Sequence, residues 1–300
     1  LVSKLPSGVN IHNLIDDLRI FSWEAADILL YYSKILRNAN SQINLVKNND
    51  EEDPVTIADL KVNQIILKRI KEKYPNIGWK YLSEENTKFG STKCDIDADW
   101  LWILDPLDGT KDFIQGTDNY AMHLALNYKN KPILGIVLIP EKEELWIADG
   151  KVTWCEGRDL LNKKISLTNK KLLNKMTLVT SKNHSNHILR SLINKIDFEK
   201  TLIMGSIGCK IASIIRGESD IYISMSLPGQ SAPKDWDFAA PAIILKNAGG
   251  VITNIENEEI SFNQANFEQK GILIASNNKE THQEICNQIK EIIKKFNLYP

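Results

Sequence analysis

Hydrophobic side chains recur at roughly the period of a helix in the first part of the chain. One such run covers residues 11–36 and a second covers residues 58–70. This spacing places the apolar side chains on one face of a helix, which can then pack against a core. The first run therefore predicts one long amphipathic helix or a close pair of helices, and the second run predicts a further helix, all before the first clear strand. The second run closes at Tyr74-Pro75, where the proline disfavours further helix.

From residue 100 onward the pattern changes to short runs of β-branched and aromatic residues. Turn-forming residues separate these runs, and after residue 150 helical stretches lie between them. The predicted strands are residues 100–104, 122–128, 133–139, 145–148, 177–180, 202–204, 221–224, 250–253 and 272–275. The predicted later helices are residues 187–196, 207–216, 238–247 and 280–295.

This order of elements predicts an α+β protein in which helices cover layered sheets, rather than a helical bundle or a β-sandwich. A length of 300 residues exceeds that of most single domains, so we expect two. The predicted N-terminal α+β domain covers residues 1–155 and carries most of the acidic motifs below. The C-terminal α/β domain covers residues 156–300, with the boundary placed loosely at residues 150–170.

Composition and charge exclude several classes of partner. A hydrophobic fraction of 43% argues against a disordered chain. Lys and Arg number 37 against 38 Asp and Glu, so bulk charge gives no attraction to a nucleic acid polymer or an anionic membrane. No apolar run reaches the ~18 residues of a membrane span. The four cysteines form no C-x-x-C pair, and residues 1–10 lack the layout of a secretory signal, so we expect a cytoplasmic protein.

The densest candidate chemistry lies at residues 102–110, which read WILDPLDGT. Asp105 ends an apolar strand and Asp108 follows one tight turn later, so both carboxylates and the Leu107 carbonyl can face one cation. Carboxylates, carbonyls and water are the oxygen ligands that Mg²⁺ prefers. Because Asp-Pro and Asp-Gly are also common in turns, a purely structural strand and turn stays open for this motif alone.

The backbone directly after these carboxylates suits an anion. If Gly109, Thr110 and Lys111 open a helical turn, their N–H groups can bind a phosphate. The glycine also permits a close approach of the backbone to a ligand.

Three further segments carry acids or hydroxyls, and each has a structural alternative. They are residues 53–59 (DPVTIAD), 82–86 (LSEEN) and 235–240 (DWDFAA). Thr56 and Asp59 can form a capping box at a helix start. Glu84 and Glu85 can be solvated loop charges. Asp237 can cap the helix that the following glycines end.

Taken together and in this order, the four segments resemble the inositol monophosphatase superfamily of lithium-sensitive, magnesium-dependent phosphatases. The matching segments, which span most of the chain, are residues 55–59, 83–85, 105–110 and 236–240, followed by residues 248–250. The resemblance implies a layered α-β-α-β-α sandwich of the sugar phosphatase type. It also implies a small-molecule phosphate substrate and two or three Mg²⁺ ions as cofactors.

The resemblance further implies a role for each acidic residue. The implied metal ligands are Glu84, Asp105, the Leu107 carbonyl and Asp108 in the first domain and Asp237 in the second. Asp59 resembles a ligand or orienting group for an additional metal, and Thr110 would share with Glu84 the activation of the attacking water. The chain has no G-x-S-x-G elbow and no recognisable Cys–His dyad, so we expect water rather than a side chain as the nucleophile.

The residues after the turn, Lys111-Asp112-Phe113, are similar to the 3′(2′),5′-bisphosphate nucleotidase branch, since inositol-specific members usually place Asn before the Phe. This similarity implies hydrolysis of adenosine 3′,5′-bisphosphate to AMP and phosphate, as in sulfur metabolism. The candidate substrate contacts are Gly109, Thr110, Lys111, Ser206, Lys210 and Lys234.

Several alternatives to this assignment stay open. Pro241 stands where many relatives carry Gly, and Tyr222-Ile223-Ser224 lacks the arginine expected of bacterial nucleotidases. Inositol monophosphatase and fructose-1,6-bisphosphatase activities are the nearest alternatives. A catalytically silent metal or nucleotide sensor is an alternative of another class, and the chain is also a candidate homodimer.

Overall fold

The computed structural model describes residues 5–37, 46–48, 54–89, 96–181 and 186–298. The helices in these ranges are α1 (Ile11–Arg37), α2 (Ile57–Lys73), α3 (Glu84–Phe89), α4 (Thr110–Ile114), α5 (His187–Ile196), α6 (Ile207–Ile215), α7 (Asp235–Ala248) and α8 (His282–Phe296). The strands are β1 (Val46–Asn48), β2 (Pro54–Thr56), β3 (Lys80–Ser83), β4 (Trp100–Asp108), β5 (Ala121–Tyr128), β6 (Lys131–Ile139), β7 (Glu144–Ala148), β8 (Thr153–Glu156), β9 (Asn162–Lys163), β10 (Thr177–Thr180), β11 (Lys200–Ile203), β12 (Ile221–Met225), β13 (Val251–Asn254) and β14 (Ile272–Ser276).

A seven-stranded sheet forms the first half of the molecule in the order β3-β4-β5-β6-β7-β8-β9. Strand β3 runs parallel to β4, and the other neighbours are antiparallel. Successive residues of β4 point to opposite faces, so Trp102 and Leu104 pack with α1 and α2, whereas Leu101 and Ile103 pack with α6 and α7. Burial on both faces explains the unbroken apolar run that the sequence shows here.

A five-stranded sheet follows in the order β11-β10-β12-β14-β13. Its inner face, including Val179 and Tyr222, shares a core with α6, α7 and the first sheet. Its outer face, including Leu178 and Ile223, packs against α5 and α8. The layers therefore run helix, sheet, helix, sheet, helix, which confirms the predicted α-β-α-β-α sandwich.

Helix α7 lies very close to the first sheet. A Cβ atom on Gly135 of β6 would lie 2.4 Å from Cγ2 of Ile243 and 3.1 Å from the carbonyl oxygen of Ala240. Only glycine allows this approach, which brings the first turn of α7 next to the end of β4. The shared core between the sheets is continuous, and the predicted division at residue 155 stays a prediction.

The structure extends several predicted elements. Strand β4 continues through Pro106 to Asp108, because a register shift between Asp105 and Asp108 spares the proline from the strand ladder. Helix α7 begins at Asp235 rather than Phe238, which places Asp235 and Asp237 in its first turn. Strand β3 and helix α3 were missed because both are short and largely polar.

The structure describes three of the four cysteines and all the helices named above. Cys155, Cys209 and Cys286 are buried free thiols, and Cys94 lies outside the described residues. In the described ranges, no helix combines the length and the apolarity that a bilayer crossing requires.

Candidate active site

Acidic side chains from distant parts of the chain meet where β3 and β4 end. Ser83 pairs with Leu104 in the parallel ladder, so Glu84, the first residue after β3, and Asp105 of β4 lie side by side. Asp105, Asp108 and Asp237 form the inner acidic group, in which one carboxylate oxygen from each lies within 4.8 Å of the others. Asp59, Glu84 and Glu85 form an outer acidic group by the same measure.

The electrostatics of the inner group favour a bound cation. Burial raises the pKa of Asp105 well above its ordinary value, and the charges of Glu84, Asp108, Asp237 and Asp59 raise it further. Burial and the charges of Asp108 and Glu84 likewise raise the pKa of Asp237. Buried carboxylates that repel one another in this way are stabilised in the charged form by a cation among them.

The donor chemistry of both groups fits Mg²⁺. Every candidate ligand is a carboxylate or carbonyl oxygen, which matches the preference of a hard divalent cation. In addition, the Oε2 atom of Glu85 is buried and has no hydrogen-bond donor among the described residues. The residues that would hold metal ions are therefore those of the two acidic groups, together with the Leu107 carbonyl.

Hydrogen bonds from α6 orient Asp108. Its Oδ2 atom accepts from the hydroxyl of Ser206 at 2.6 Å and from the N–H of Ile207. Ser206 also caps α6 by accepting from the N–H of Cys209 at 3.2 Å. The structure thus places Ser206, a predicted substrate contact, against Asp108 and buried behind the site rather than on its open wall.

The turn after Asp108 has the backbone that its sequence predicts. Gly109 adopts a φ of 87°, and a Cβ there would lie 2.8 Å from the carbonyl oxygen of Asn119. Helix α4 begins at the next residue, as expected for an anion-binding turn. The hydroxyl of Thr110 donates to the Leu107 carbonyl at 3.0 Å, which leaves that oxygen a second lone pair for a metal.

His123 on β5 is a supporting residue that the sequence reasoning missed. Its Nε2 atom accepts from the N–H of Gly208 at 3.1 Å, so Nδ1 carries the proton and donates to the Trp236 carbonyl at 3.3 Å. Burial lowers the pKa of His123, which keeps the ring neutral. The ring joins the first turns of α6 and α7 beside Asp108. The available sequence signal was a histidine inside an otherwise apolar strand.

Four of the six acids line a cavity of about 940 Å³ between the two sheets. Glu84 and the inner acidic group lie on one side. Hydroxyl and amide side chains of the second sheet and of residues 226–234 contribute to the other: Thr180, Ser181, Asn186, Ser224, Ser226, Gln230 and Ser231. Gly109, Thr110 and Lys111 also line the cavity. Its shape and polarity suit a small phosphorylated metabolite.

The predicted lysines differ in their surroundings. Lys210 is buried, donates to the Gly205 carbonyl, and lies 5.2 Å from the ring centroid of Tyr222. Burial lowers the pKa of this ammonium. Lys234 donates to the Asn266 carbonyl at 3.1 Å and to Glu268 at 3.2 Å, so its charge is directed to the loop before β14.

Lys88 lies beside the acidic groups, and Asp59 belongs to the outer one. Lys88 on α3 lines the cavity and pairs with Glu84 and Glu85, and sequence reasoning missed it. Asp59 is fully buried in the first turn of α2. The side chain of Thr56 lies outside the described residues, so its capping alternative stays open.

Comparisons with known proteins agree with this geometry. The sequence profile of the inositol monophosphatase family matches residues 19–294. The 3′(2′),5′-bisphosphate nucleotidase CysQ of Haemophilus influenzae is 28% identical over 223 residues, which cover 73% of this chain and 78% of that protein. Inositol monophosphatase 1 of Bos taurus is 26% identical over 271 residues, 86% of this chain and 90% of that protein.

A solved structure shows the same fold. The extragenic suppressor protein suhB of Bartonella henselae superposes with a TM-score of 0.72 at 21% identity, covering 94% of this chain and 99% of that one. The profile match extends over nearly the whole chain and includes all the acidic residues described above. This chain belongs to the inositol monophosphatase family, a family of phosphatases.

Proposed function

We propose that the protein is a magnesium-dependent 3′(2′),5′-bisphosphate nucleotidase that converts adenosine 3′,5′-bisphosphate to AMP and phosphate. The main support for phosphatase activity is that the two acidic groups lie together beside the turn at Gly109. For the substrate, the support is Lys111-Asp112-Phe113 and the lysines that line the cavity, at positions 88, 111, 210 and 234. The likeness to CysQ points the same way.

The chemistry requires more than a general base. Hydrolysis of phosphate monoesters calls for rate enhancements of up to about 10²¹-fold, and a positioned base supplies only about 10²–10⁴-fold. Mg²⁺ held by the two acidic groups would supply the remainder, because it would acidify water, neutralise the phosphoryl oxygens and stabilise the leaving oxygen.

The side chains and backbone of the site position the attacking water and the phosphoryl group. The Thr110 hydroxyl and Glu84 position the attacking water, and Glu84 accepts a proton from it. The water oxygen bonds to phosphorus while the bond from phosphorus to the ribose oxygen breaks. The ribose oxygen takes up a proton from solvent water, and Glu84 releases to solvent the proton that it accepted, which yields AMP and inorganic phosphate. The backbone at Gly109, Thr110 and Lys111 holds the phosphoryl group through this change.

One observation favours a second candidate, inositol monophosphatase activity. The side chains of Thr180, Ser181, Ser224 and Ser226 give the cavity a hydroxyl-rich wall, which suits a polyol as well as a ribose. The likeness to the bovine inositol monophosphatase, at an identity close to that of CysQ, adds to this candidate.

Phosphate release separates these candidates. The purified protein is assayed with adenosine 3′,5′-bisphosphate, inositol 1-phosphate and fructose 1,6-bisphosphate, each with Mg²⁺ and with EDTA. We expect the highest kcat/KM for the bisphosphate nucleotide, and no turnover in EDTA. A preference for the inositol phosphate would replace the nucleotidase assignment. Failure to hydrolyse any of the three would favour the silent sensor.

A further inference from the structure

His123 binds the backbone of two helices at once. Its Nε2 atom accepts the N–H of Gly208, the second residue of α6, at 3.1 Å. Its Nδ1 atom donates to the carbonyl of Trp236, the second residue of α7, at 3.3 Å. That carbonyl belongs to the peptide bond that joins Trp236 to Asp237. One ring therefore connects the turn that orients Asp108 with the turn that carries Asp237.

The N–H groups at the start of α6 need acceptors from outside the helix. Oδ2 of Asp108 accepts the N–H of Ile207, the first residue of the helix. The N–H of Gly208 lies 3.4 Å from the same Oδ2 atom, but its shorter contact is with the ring of His123. Without the ring, this N–H would turn to Asp108. Each further hydrogen bond stabilises the carboxylate charge and so weakens that carboxylate as a metal ligand.

The ring fits closely against α6. A Cβ atom on Gly208 would lie 2.3 Å from Nε2 of His123 and 2.8 Å from Cγ1 of Val137. A larger residue at position 208 would therefore push the ring away from the N–H that it accepts. His123 is 1% exposed, so bulk water does not compete for either of its hydrogen bonds.

Helix α7 has a weak point directly behind Asp237. Pro241 lies inside the helix and has no N–H to close the bond to the carbonyl of Asp237, four residues earlier. A proline in this position also crowds that carbonyl. At the start of the turn, Asp235 is held by the N–H of Asn263 at 2.5 Å. His123 supplies a second anchor, from the first sheet, at the residue next to Asp237.

We propose that His123 is a positioning residue, which fixes the first turn of α7 against α6 and so sets the placement of Asp237 relative to Asp108. The ring compensates for the helical hydrogen bond that Pro241 removes. It acts through these two carboxylates rather than on the substrate. A misplacement of about 1 Å can lower a catalytic rate by about 10²-fold, whereas the phosphate-binding turn at Gly109 is left in place. The loss of the ring should therefore lower kcat and leave KM nearly unchanged.

This inference rests on the phosphatase activity in the proposed function, so the kinetic test uses whichever of the three phosphate esters the wild type hydrolyses best. His123→Leu removes both hydrogen bonds and keeps a large apolar side chain in the core. We expect kcat to fall by about tenfold to a hundredfold, with KM within about twofold of the wild type.

Two amide variants test for rescue. His123→Asn keeps a donor near the position of Nδ1, and His123→Gln keeps an acceptor near the position of Nε2. Each should therefore recover part of the kcat that His123→Leu loses. Equal losses of kcat in all three variants would overturn the inference, as would a loss that appears only in KM.

Pro241→Ala tests the compensation. The alanine restores an N–H that can bond to the carbonyl of Asp237, and alone it should leave kcat within about twofold of the wild type. In this background, the loss of kcat caused by His123→Leu should shrink to about threefold or less, because coupled residues do not act additively. Effects of the two changes on kcat that simply multiply would contradict the compensation.

His282→Leu is the matched control, since it removes another buried histidine with two hydrogen bonds, on α8 and far from the acidic groups in the layered fold. Its unfolding temperature should fall, because buried hydroxyls lose their partner. At a temperature well below unfolding, its kcat should stay within about twofold of the wild type. A loss as large as that of His123→Leu would mean that lowered stability alone explains both, and would refute the positioning role.

A measurement on the wild type needs no substrate and no folded variant. ¹⁵N NMR of the histidine rings, assigned through bonds, distinguishes the two neutral tautomers. We expect the ring of His123 to carry its proton on Nδ1. A proton on Nε2 would overturn the inference, because that tautomer cannot accept the N–H of Gly208. Since the sample contains no phosphate ester, a negative substrate panel would count against the proposed function and leave this result intact.

Discussion

At the scale of single residues, each acid of the inner group is held by contacts that an amide can largely reproduce. Oδ1 of Asp105 accepts the N–H of Leu107 at 3.0 Å, and Oδ2 of Asp108 accepts from Ser206. An asparagine at either position retains one acceptor oxygen of nearly the same placement. The asparagine lacks the negative charge, and only the binding of metal ions requires that charge. Structure and chemistry can therefore be separated at these positions.

We expect Asp105→Asn or Asp108→Asn to lower kcat by roughly a thousandfold or more, because a metal that loses a charged ligand no longer stabilises the phosphoryl charge. Without metal, the unfolding temperature should stay the same or rise, since the variant removes one of several repelling carboxylates. Steady-state kinetics and thermal unfolding in EDTA measure both quantities. Asp16→Asn, at an exposed carboxylate, is the control. A kcat close to that of the wild type would contradict the proposed ligand role.

Single residues also show which features of the site cannot be predicted from the sequence. Asp105, Asp108 and Asp237 could be chosen because they stand in dense motifs. Ser206 and Lys234 could also be chosen, but the sequence did not reveal that their hydrogen bonds go to Asp108 and Glu268. His123 was missed because its partners, Gly208 and Trp236, are 85 and 113 residues away along the chain. Contacts of that range depend on the packing of α6 and α7 against the first sheet.

At the scale of elements, the predictable ones have a strong periodic pattern. Helices α1 and α5 and strand β6 were predicted close to their observed bounds, since each buries a regular set of apolar side chains. Helix α3 has little such pattern. The N–H of Asn86 donates to the hydroxyl of Ser83 at 3.2 Å, which stabilises the first turn of this helix. The helix follows directly after β3 at the edge of the sheet. Its position follows from the parallel pairing of β3 with β4.

Helix α8 is fixed to the second sheet by a buried histidine. Nε2 of His282 lies 2.7 Å from the hydroxyl of Thr253 on β13, and Nδ1 lies 2.7 Å from the hydroxyl of Ser276 on β14. Burial lowers the pKa of His282 from 6.5 to about 4. Between these values the unfolded chain binds a proton that the folded chain does not. The stability from neutral His282 is therefore complete above pH 6.5 and is lost as the pH falls toward 4.

This linkage predicts that His282 alone accounts for a loss of about 3 kcal/mol in the free energy of unfolding between pH 7 and pH 4. Urea unfolding at a series of pH values measures it. The variant His282→Gln keeps polar atoms in the pocket but cannot be protonated, so its stability should fall less steeply over this interval. His12→Gln, at an exposed histidine, should follow the wild-type slope. Parallel curves for the wild type and His282→Gln would show that the ring is not held neutral.

At the scale of the whole molecule, the active site joins its two halves. Five of the six acids come from elements on or beside the seven-stranded sheet, whereas Asp237 comes from α7, which packs between the sheets. The layered arrangement was expected from the family resemblance. The closeness of the two acidic groups to each other required the structure, because it depends on Gly135 admitting α7 and on the register shift in β4.

The raised pKa values of Asp105 and Asp237 determine the direction in which the stability of the metal-free protein changes with pH. In the metal-free protein, the folded state holds protons on these groups more tightly than the unfolded chain does. Their contribution to stability is therefore complete at acidic pH, below the pKa of the unfolded carboxyls, and declines as the pH rises through the folded values. A divalent cation relieves the repulsion that causes this decline, and it binds the deprotonated ligands.

Mg²⁺ should thus stabilise the protein, and it should do so more strongly at pH 8 than at pH 6. At a concentration one hundred times the dissociation constant, one bound ion contributes about 2.7 kcal/mol, which corresponds to a shift of a few degrees in the unfolding temperature. Thermal unfolding with EDTA and with Mg²⁺ at both pH values measures the shift. In Asp237→Asn the shift should shrink, because α7 then supplies no charge to the ion that joins the two halves. A shift that is equal at both pH values, or equal in the variant, would mean that the ion binds outside the inner acidic group.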